Sequence, residues 1–443
     1  MKNRMKYKIT RMFVVLSFLS AMIIPKASAQ TSPQLKSQGA MVVESVNGQV
    51  LYSHQVEEMV EVGGLSKVLL LYIAAQAIQQ GEVKETDKVI ISDQAYALSQ
   101  DYNLQNVPLR QDFEYEVQEL MEAIVITGAN GATLALAEHI AGNEKNAVKM
   151  MEEALEEWGY SSKLYNVTGL PTKLIAHDKS TYEEGNVNKM SAAACATASY
   201  HLIQEYPQIL EDAQQSKAIL KEESDDPYEM SNAVAMIEGN DYAYEGTTGL
   251  MLGTSEKSGD SAIITAQRSG IPVISVILGT QKRGEGQRYH ESKKLLDYTF
   301  SMYVMKDIVK KHQKVTEIGQ VGVRDGVSQN IDLAYSESYQ MAMPIVESQP
   351  RVTYTFVANE RMVNDQGAVQ APIKKATQVG YVQLNMDQKK TTYLPGAKGN
   401  RVGVQTSETV AEAPWYQKSW NNMTQAVNDS WEKTRVFFTN LFN

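Results

Sequence analysis

Lys67 heads a long apolar run, Val68-Leu69-Leu70-Leu71-Tyr72-Ile73-Ala74-Ala75, and the residue three before it is Gly64. A lysine one helical turn after a hydroxyl residue is an arrangement for covalent acyl transfer, in which the hydroxyl attacks and the amine takes its proton. Glycine has no side chain and cannot attack. Two other stretches are read beside it. Gly128-Ala129-Asn130 offers a carboxamide but no hydroxyl, and Met251-Leu252-Gly253 is an apolar strand-like run ending in a glycine. Lys67, Asn130 and Gly253 each have a purely structural reading too: a partly buried cation at a helix start, a helix cap, and a strand residue in a crowded place. Gly64 itself is tolerable as an N-cap-like residue.

No nearby hydroxyl restores the missing one. Ser66 is two positions on, about 200° around a helix from Gly64, and adjacent to Lys67 rather than a turn away. It is the weak rescue candidate. Thr127 points elsewhere than Gly128, and Ser255 lies beyond the third stretch. Removing a hydrolase's serine nucleophile costs on the order of a millionfold in turnover. Other chemistries have little support. The six histidines are scattered, the single cysteine Cys195 sits in a run of small residues, and no glycine-rich phosphate loop follows a strand. No cofactor and no metal are expected. Cys195 reads as a buried small hydrophobe, and one cysteine makes no internal disulfide.

The positioning elements can be read from periodicity. Ala40–Glu44 and Gln49–Tyr52 read as strands joined by a turn at Asn47-Gly48. Helices are expected at about Leu65–Gln80, ended by Gly81, at Val117–Ile126, Thr133–Ile140, Lys145–Trp158 and Met190–Glu205. Two strands follow, Ser261–Ala266 and Pro272–Gly279, turned at Ser269-Gly270. A last helix is expected over Tyr289–Lys311, its basic end matched to the helix dipole. From Val315 short alternating strands take over: Gly319–Val323, Arg351–Phe356 and Val379–Leu384.

The 443 residues carry 43% hydrophobic and 21% charged residues and a net charge of −10, a globular balance that argues against a nucleic-acid partner. Lys2 to Arg11 is basic, Met12 to Ile24 apolar, and Ala27-Ser28-Ala29 a small-x-small site, so residues 1–29 read as a secretory signal cleaved after Ala29. Residues 414–443 place Tyr416, Trp420, Met423, Val427, Trp431, Phe438 and Leu441 on one helical stripe, which reads as an amphipathic anchor at a membrane surface. A helix docked on the protein's own body is the alternative.

Read in order, the three stretches resemble the low-molecular-mass penicillin-binding proteins, the serine D-alanyl-D-alanine carboxypeptidases. The likeness extends over the Gly48-to-Tyr52 hairpin, Tyr165-Asn166-Val167-Thr168-Gly169-Leu170, Glu205-Tyr206-Pro207 and Ala371-Pro372-Ile373-Lys374-Lys375. It implies an α/β fold: a transpeptidase-like domain with helices on an antiparallel sheet over 34–312, a small all-β domain over 315–407, and the terminal amphipathic helix. It also implies three motifs. The serine of Ser-x-x-Lys falls on Gly64 and its lysine on Lys67. The serine of Ser-x-Asn falls on Gly128 and its asparagine on Asn130. Lys-Thr-Gly falls, without gaps, on Met251-Leu252-Gly253; a shifted alignment would place it on Thr247-Thr248-Gly249 and still lose the lysine.

Both serines, a cation and a threonine are thus replaced. The expectation is a secreted pseudoenzyme, attached to the outer face of the cytoplasmic membrane, that binds a peptidoglycan stem peptide or another cell-wall enzyme. An active carboxypeptidase with a displaced nucleophile, and a spacer whose β domain and anchor are the working parts, remain open at this stage.

Overall fold

A computed structural model describes residues 32–174, 186–280, 284, 286–345, 351–364, 367–386 and 391–419. The expected signal, and Trp420, Met423, Val427, Trp431, Phe438 and Leu441 of the anchor stripe, lie outside the described residues.

Strands β1 (Gly39–Glu44) and β2 (Val50–His54) form a hairpin around Gly48, whose φ of 75° is one that glycine adopts without strain. Helix α1 (Lys67–Gln80) follows a 3-10 turn over Gly63–Ser66. Nearly every α1 side chain from Lys67 to Ala77 is buried, so this helix is apolar all round and forms the centre of the core. Full burial of Leu69, Leu70 and Leu71 stabilises the fold by roughly 1.5–3 kcal/mol each. Gly81 ends the helix in the left-handed conformation.

Helix α2 (Val117–Thr127) stops at Gly128, φ 74°, and α3 (Asn130–Ala141) starts two residues later. Helix α4 (Ala192–Glu205) is capped by the Ser191 side chain, which accepts from the Ala194 N–H at 3.1 Å. Cys195 on α4 is buried, and burial pushes its thiol up to about 12, which leaves it inert.

Strands β3 (Thr247–Ser255), β4 (Gly259–Arg268) and β5 (Ile271–Leu278) complete an antiparallel sheet in the order β2-β1-β5-β4-β3. β3 is therefore an edge strand, and the turn that leads into α1 packs against it. One sheet face joins the large helical core. The other meets helix α5 (Gln287–Met302) around Leu295 and Leu296.

One sequence expectation fails here. The last helix does not reach Lys311; it ends at Met302, and Tyr303–Val309 is strand β6, paired with β7 (Tyr339–Pro344). Tyr303-Val304 and Ile308-Val309 are strand-favouring residues. Lys306, Lys310 and Lys311 thus fall beyond the helix, and no helix dipole acts on them.

Strands Val321–Arg324, Val352–Ala358, Gln378–Met386 and Arg401–Thr406, among others, enclose a second hydrophobic cluster centred on Ile331, Tyr335, Met341, Val382 and Val404. Residues 34–443 nonetheless form one compact unit. The β1–β2 turn is bound into this region: Asn47 Nδ2 donates to Gln340 O at 2.8 Å and Gln49 Nε2 to Ala342 O at 2.9 Å. No described helix is long and apolar enough to cross a membrane.

Candidate active site

The start of α1, the start of α3 and the outer edge of β3 meet at one cleft of about 470 Å³. It brings together Gly64, Lys67, Asn130, Leu252 and Gly253 from the three stretches. Gly128 and Met251 do not border it. Met251 pairs with Ile263 across β3 and β4 and is buried in the helical core. Gly128 turns the chain between α2 and α3, and a Cβ there would lie 3.0 Å from Gln105 Oε1. A side chain at Gly128 would therefore press on the end of the Gln105 side chain.

Gly64 is not an N-cap. It lies inside the 3-10 turn, and the residue before α1 is Ser66. A Cβ built on Gly64 would lie 2.9 Å from Leu252 O and 3.1 Å from Lys67 Nζ. Asn130 is not a cap either. Ala129 holds that position, and Asn130 Nδ2 instead donates to Gln105 O at 2.9 Å, tying the 101–110 loop to α3. Its Oδ1 is buried with no partner among the described residues.

Lys67 is 2% exposed, and Nζ donates to Thr168 O at 2.9 Å. Among the described residues it forms no ion pair with a carboxylate. Burial without a counter-charge disfavours the ammonium and pulls Lys67 down to about 7. Ser66 faces the opposite way. Its Oγ donates to Gly63 O and accepts from Asn188 Nδ2 at 2.8 Å, within a buried network of Asn166, Thr168 and Asn188.

The residues that sequence reasoning missed arrive from distant parts of the chain. Arg288, from α5, donates to Gly253 O at 3.1 Å and to Thr254 Oγ1 at 3.0 Å, and pairs with buried Asp260. Burial pushes the Asp260 carboxyl up, but hydrogen bonds from Arg288 and the Gly284 N–H more than offset this and hold it below the usual carboxylate range. No local signal marked Arg288 or Gln105, because each is placed by tertiary contacts alone.

The hydroxyls bordering the cleft among the described residues are those of Thr168, Thr254 and Tyr289, and all three donate to protein acceptors. Thr168 Oγ1 donates to Asn166 Oδ1 at 2.9 Å, Thr254 Oγ1 to Asp260 Oδ1 at 3.0 Å, and Tyr289 Oη to Ala233 O at 3.4 Å. Among the described residues no group of three or more His, Cys, Asp or Glu side chains is placed to hold a metal ion.

Residues 26–282 match the D-alanyl-D-alanine carboxypeptidase family. The chain belongs to that family. The carboxypeptidase DacF of Bacillus subtilis is 25% identical over 363 residues, covering 82% of this chain and 84% of that protein. DacA of Haemophilus influenzae is 23% identical over 439 residues, 96% of this chain and 98% of its own. A solved structure of a peptidoglycan synthesis regulatory factor (PBP3) from Streptococcus pneumoniae superposes with a TM-score of 0.72 at 26% identity, covering 85% of this chain and all (100%) of that one. Penicillin-binding protein 5 from Haemophilus influenzae gives 0.64 at 21% identity, over 86% of this chain and 99% of that one, a likeness of fold. The fold is that of the penicillin-binding proteins, and the family's activity is serine-type hydrolysis in cell-wall metabolism.

Proposed function

We propose that this carboxypeptidase-family chain binds cell-wall stem peptide in its cleft without hydrolysing it. The observation that carries the reading is the hydroxyl inventory. The position one turn before Lys67 is Gly64, and the Thr168, Thr254 and Tyr289 hydroxyls at the cleft already donate elsewhere. Acyl transfer by a serine mechanism needs a hydroxyl whose proton the lysine can take. The cleft is retained nonetheless, bordered by Asn130, whose buried Oδ1 has no partner among the described residues, and by the outer edge of β3 at Leu252 and Gly253.

The same reading includes export and attachment to the membrane surface through residues 414–443. Its support is the amphipathic pattern, and the exposure of Trp415 (79%) and Tyr416 (63%) in the helical residues 415–419.

Exposure to a fluorescent penicillin, beside an intact family enzyme, tests the central claim. The expected result is no hydroxylamine-labile adduct and no D-alanine released from a pentapeptide at high protein concentration. A penicilloyl ester on any serine or threonine overturns it.

A further inference from the structure

The cleft contains one group whose chemistry changes when its neighbour is glycine. In a serine hydrolase the lysine serves the hydroxyl in front of it. Among the described residues, and outside the glycine's own chain neighbours, the atoms within 4 Å of the position a Cβ on Gly64 would take are Leu252 O and Lys67 Nζ, so no side chain but that of Lys67 itself borders that position. Nζ has a single hydrogen-bond partner, the Thr168 carbonyl, and no carboxylate pairs with it among the described residues. A carbonyl acceptor takes one N–H and leaves the nitrogen lone pair of a neutral amine free to face the gap. Arg288 and Glu256 are the other charged residues bordering the cleft; Arg288 is committed to Asp260, and Glu256 pairs with Lys173.

We propose that Lys67 is a nucleophilic amine that condenses with small carbonyl compounds, aldehydes first, entering the cleft beside Gly64. The inference rests on the non-hydrolytic reading, because only without a hydroxyl partner is the amine free to react itself. The Nζ lone pair attacks the carbonyl carbon and a C–N bond forms. The carbonyl oxygen gains a proton as the nitrogen loses one, giving a carbinolamine. Loss of water then gives the imine. No oxidant or reductant is required. A desolvated lysine is the side chain suited to this chemistry, since the neutral amine is the reacting form. With Lys67 drawn down to about 7, about half of it is neutral at pH 7.

The test treats the full chain at pH 7 with propanal and sodium cyanoborohydride, which reduces the imine to a stable secondary amine. Peptide mass spectrometry then follows each lysine. Lys67 should be alkylated at least about tenfold faster than exposed lysines such as Lys149. Gly64→Ala, checked for a native melting transition, should slow Lys67 alkylation severalfold and leave Lys149 unchanged. Lys67 reacting no faster than Lys149, or at an equal rate in Gly64→Ala, overturns the proposal. Alkylation of every lysine at one common rate would report an unfolded chain, and counts against it too. A secondary amine on Lys67 survives hydroxylamine and a penicilloyl ester does not, so failure here is distinguishable from failure of the non-hydrolytic reading.

Discussion

Gly253 and Val62 approach so closely that a Cβ on Gly253 would lie 2.0 Å from the Val62 carbonyl oxygen. This contact sets the strand edge against the turn that carries Gly64. Gly253→Ala must push β3 off that turn, and should destabilise the protein by about 3 kcal/mol. The urea midpoint measures it. An unchanged midpoint would show that the close approach is relaxed in solution.

Ser66 is held inside the fold rather than in the cleft. Ser66→Ala removes an acceptor from Asn188 and should cost about 1–2 kcal/mol of stability. Peptide binding to the cleft should be unaltered. If the variant instead abolished a measurable release of D-alanine, Ser66 would be a nucleophile and the non-hydrolytic reading would fall.

Lys67 gives the fold a pH dependence with a definite sign. Its value is depressed when folded, so between about 7 and the ordinary 10.5 the unfolded chain binds the extra proton. Stability attributable to this group therefore rises with pH across that window, by up to about 1.4 kcal/mol per unit. Lys67→Met should gain most over the natural chain below pH 7 and lose that advantage toward pH 10. Denaturation at several pH values checks it, and a gap that stays constant would refute the depressed value.

Asp260 and Arg288 are 2% and 12% exposed as side chains. Arg288→Met leaves a buried carboxylate without its partner and should destabilise by about 3 kcal/mol at neutral pH. The paired carboxylate contributes above its unfolded value of 3.8 and loses its contribution as the pH falls through its lower folded value. The deficit of the variant should accordingly shrink in acid. A deficit independent of pH would mean that lost packing, not charge, is responsible.

Restoring one hydroxyl should not restore an enzyme. A side chain added at Gly64 would begin 2.9 Å from Leu252 O, and position 128 would still be a glycine with no hydroxyl. Gly64→Ser should release D-alanine at no more than about a thousandth of the rate of an intact family enzyme, because catalytic residues act as a unit. Turnover near the family rate would show that one substitution separates this chain from activity.

The helices and the sheet were legible because each repeats a physical period. The apolar run after Lys67, the Gly81 stop and the continuous apolar stretches around the Ser269-Gly270 turn marked their elements within a few residues. The three stretches around Gly64, Asn130 and Gly253 were legible as fragments of one site because each sits at the start of a helix or on a strand. What escaped had no period. Gln105 lies in an irregular loop, and Arg288 finds Asp260 from 28 positions away. The junction at Tyr303 was misjudged because the polar and apolar residues of β6 also fit a continued helix. The Asn130 amide was misjudged as a cap because the loop that satisfies it approaches from outside α3.

The Asn47–Gly48 turn, bound on its far side to Gln340 and Ala342, has a mechanical consequence. Tension applied along β7 passes into both the β1–β2 hairpin and β6. From there it reaches the sheet whose outer strand borders the cleft. Pulling on that strand therefore loads the sheet of the cleft at the same time, so the two regions resist force together rather than one after the other.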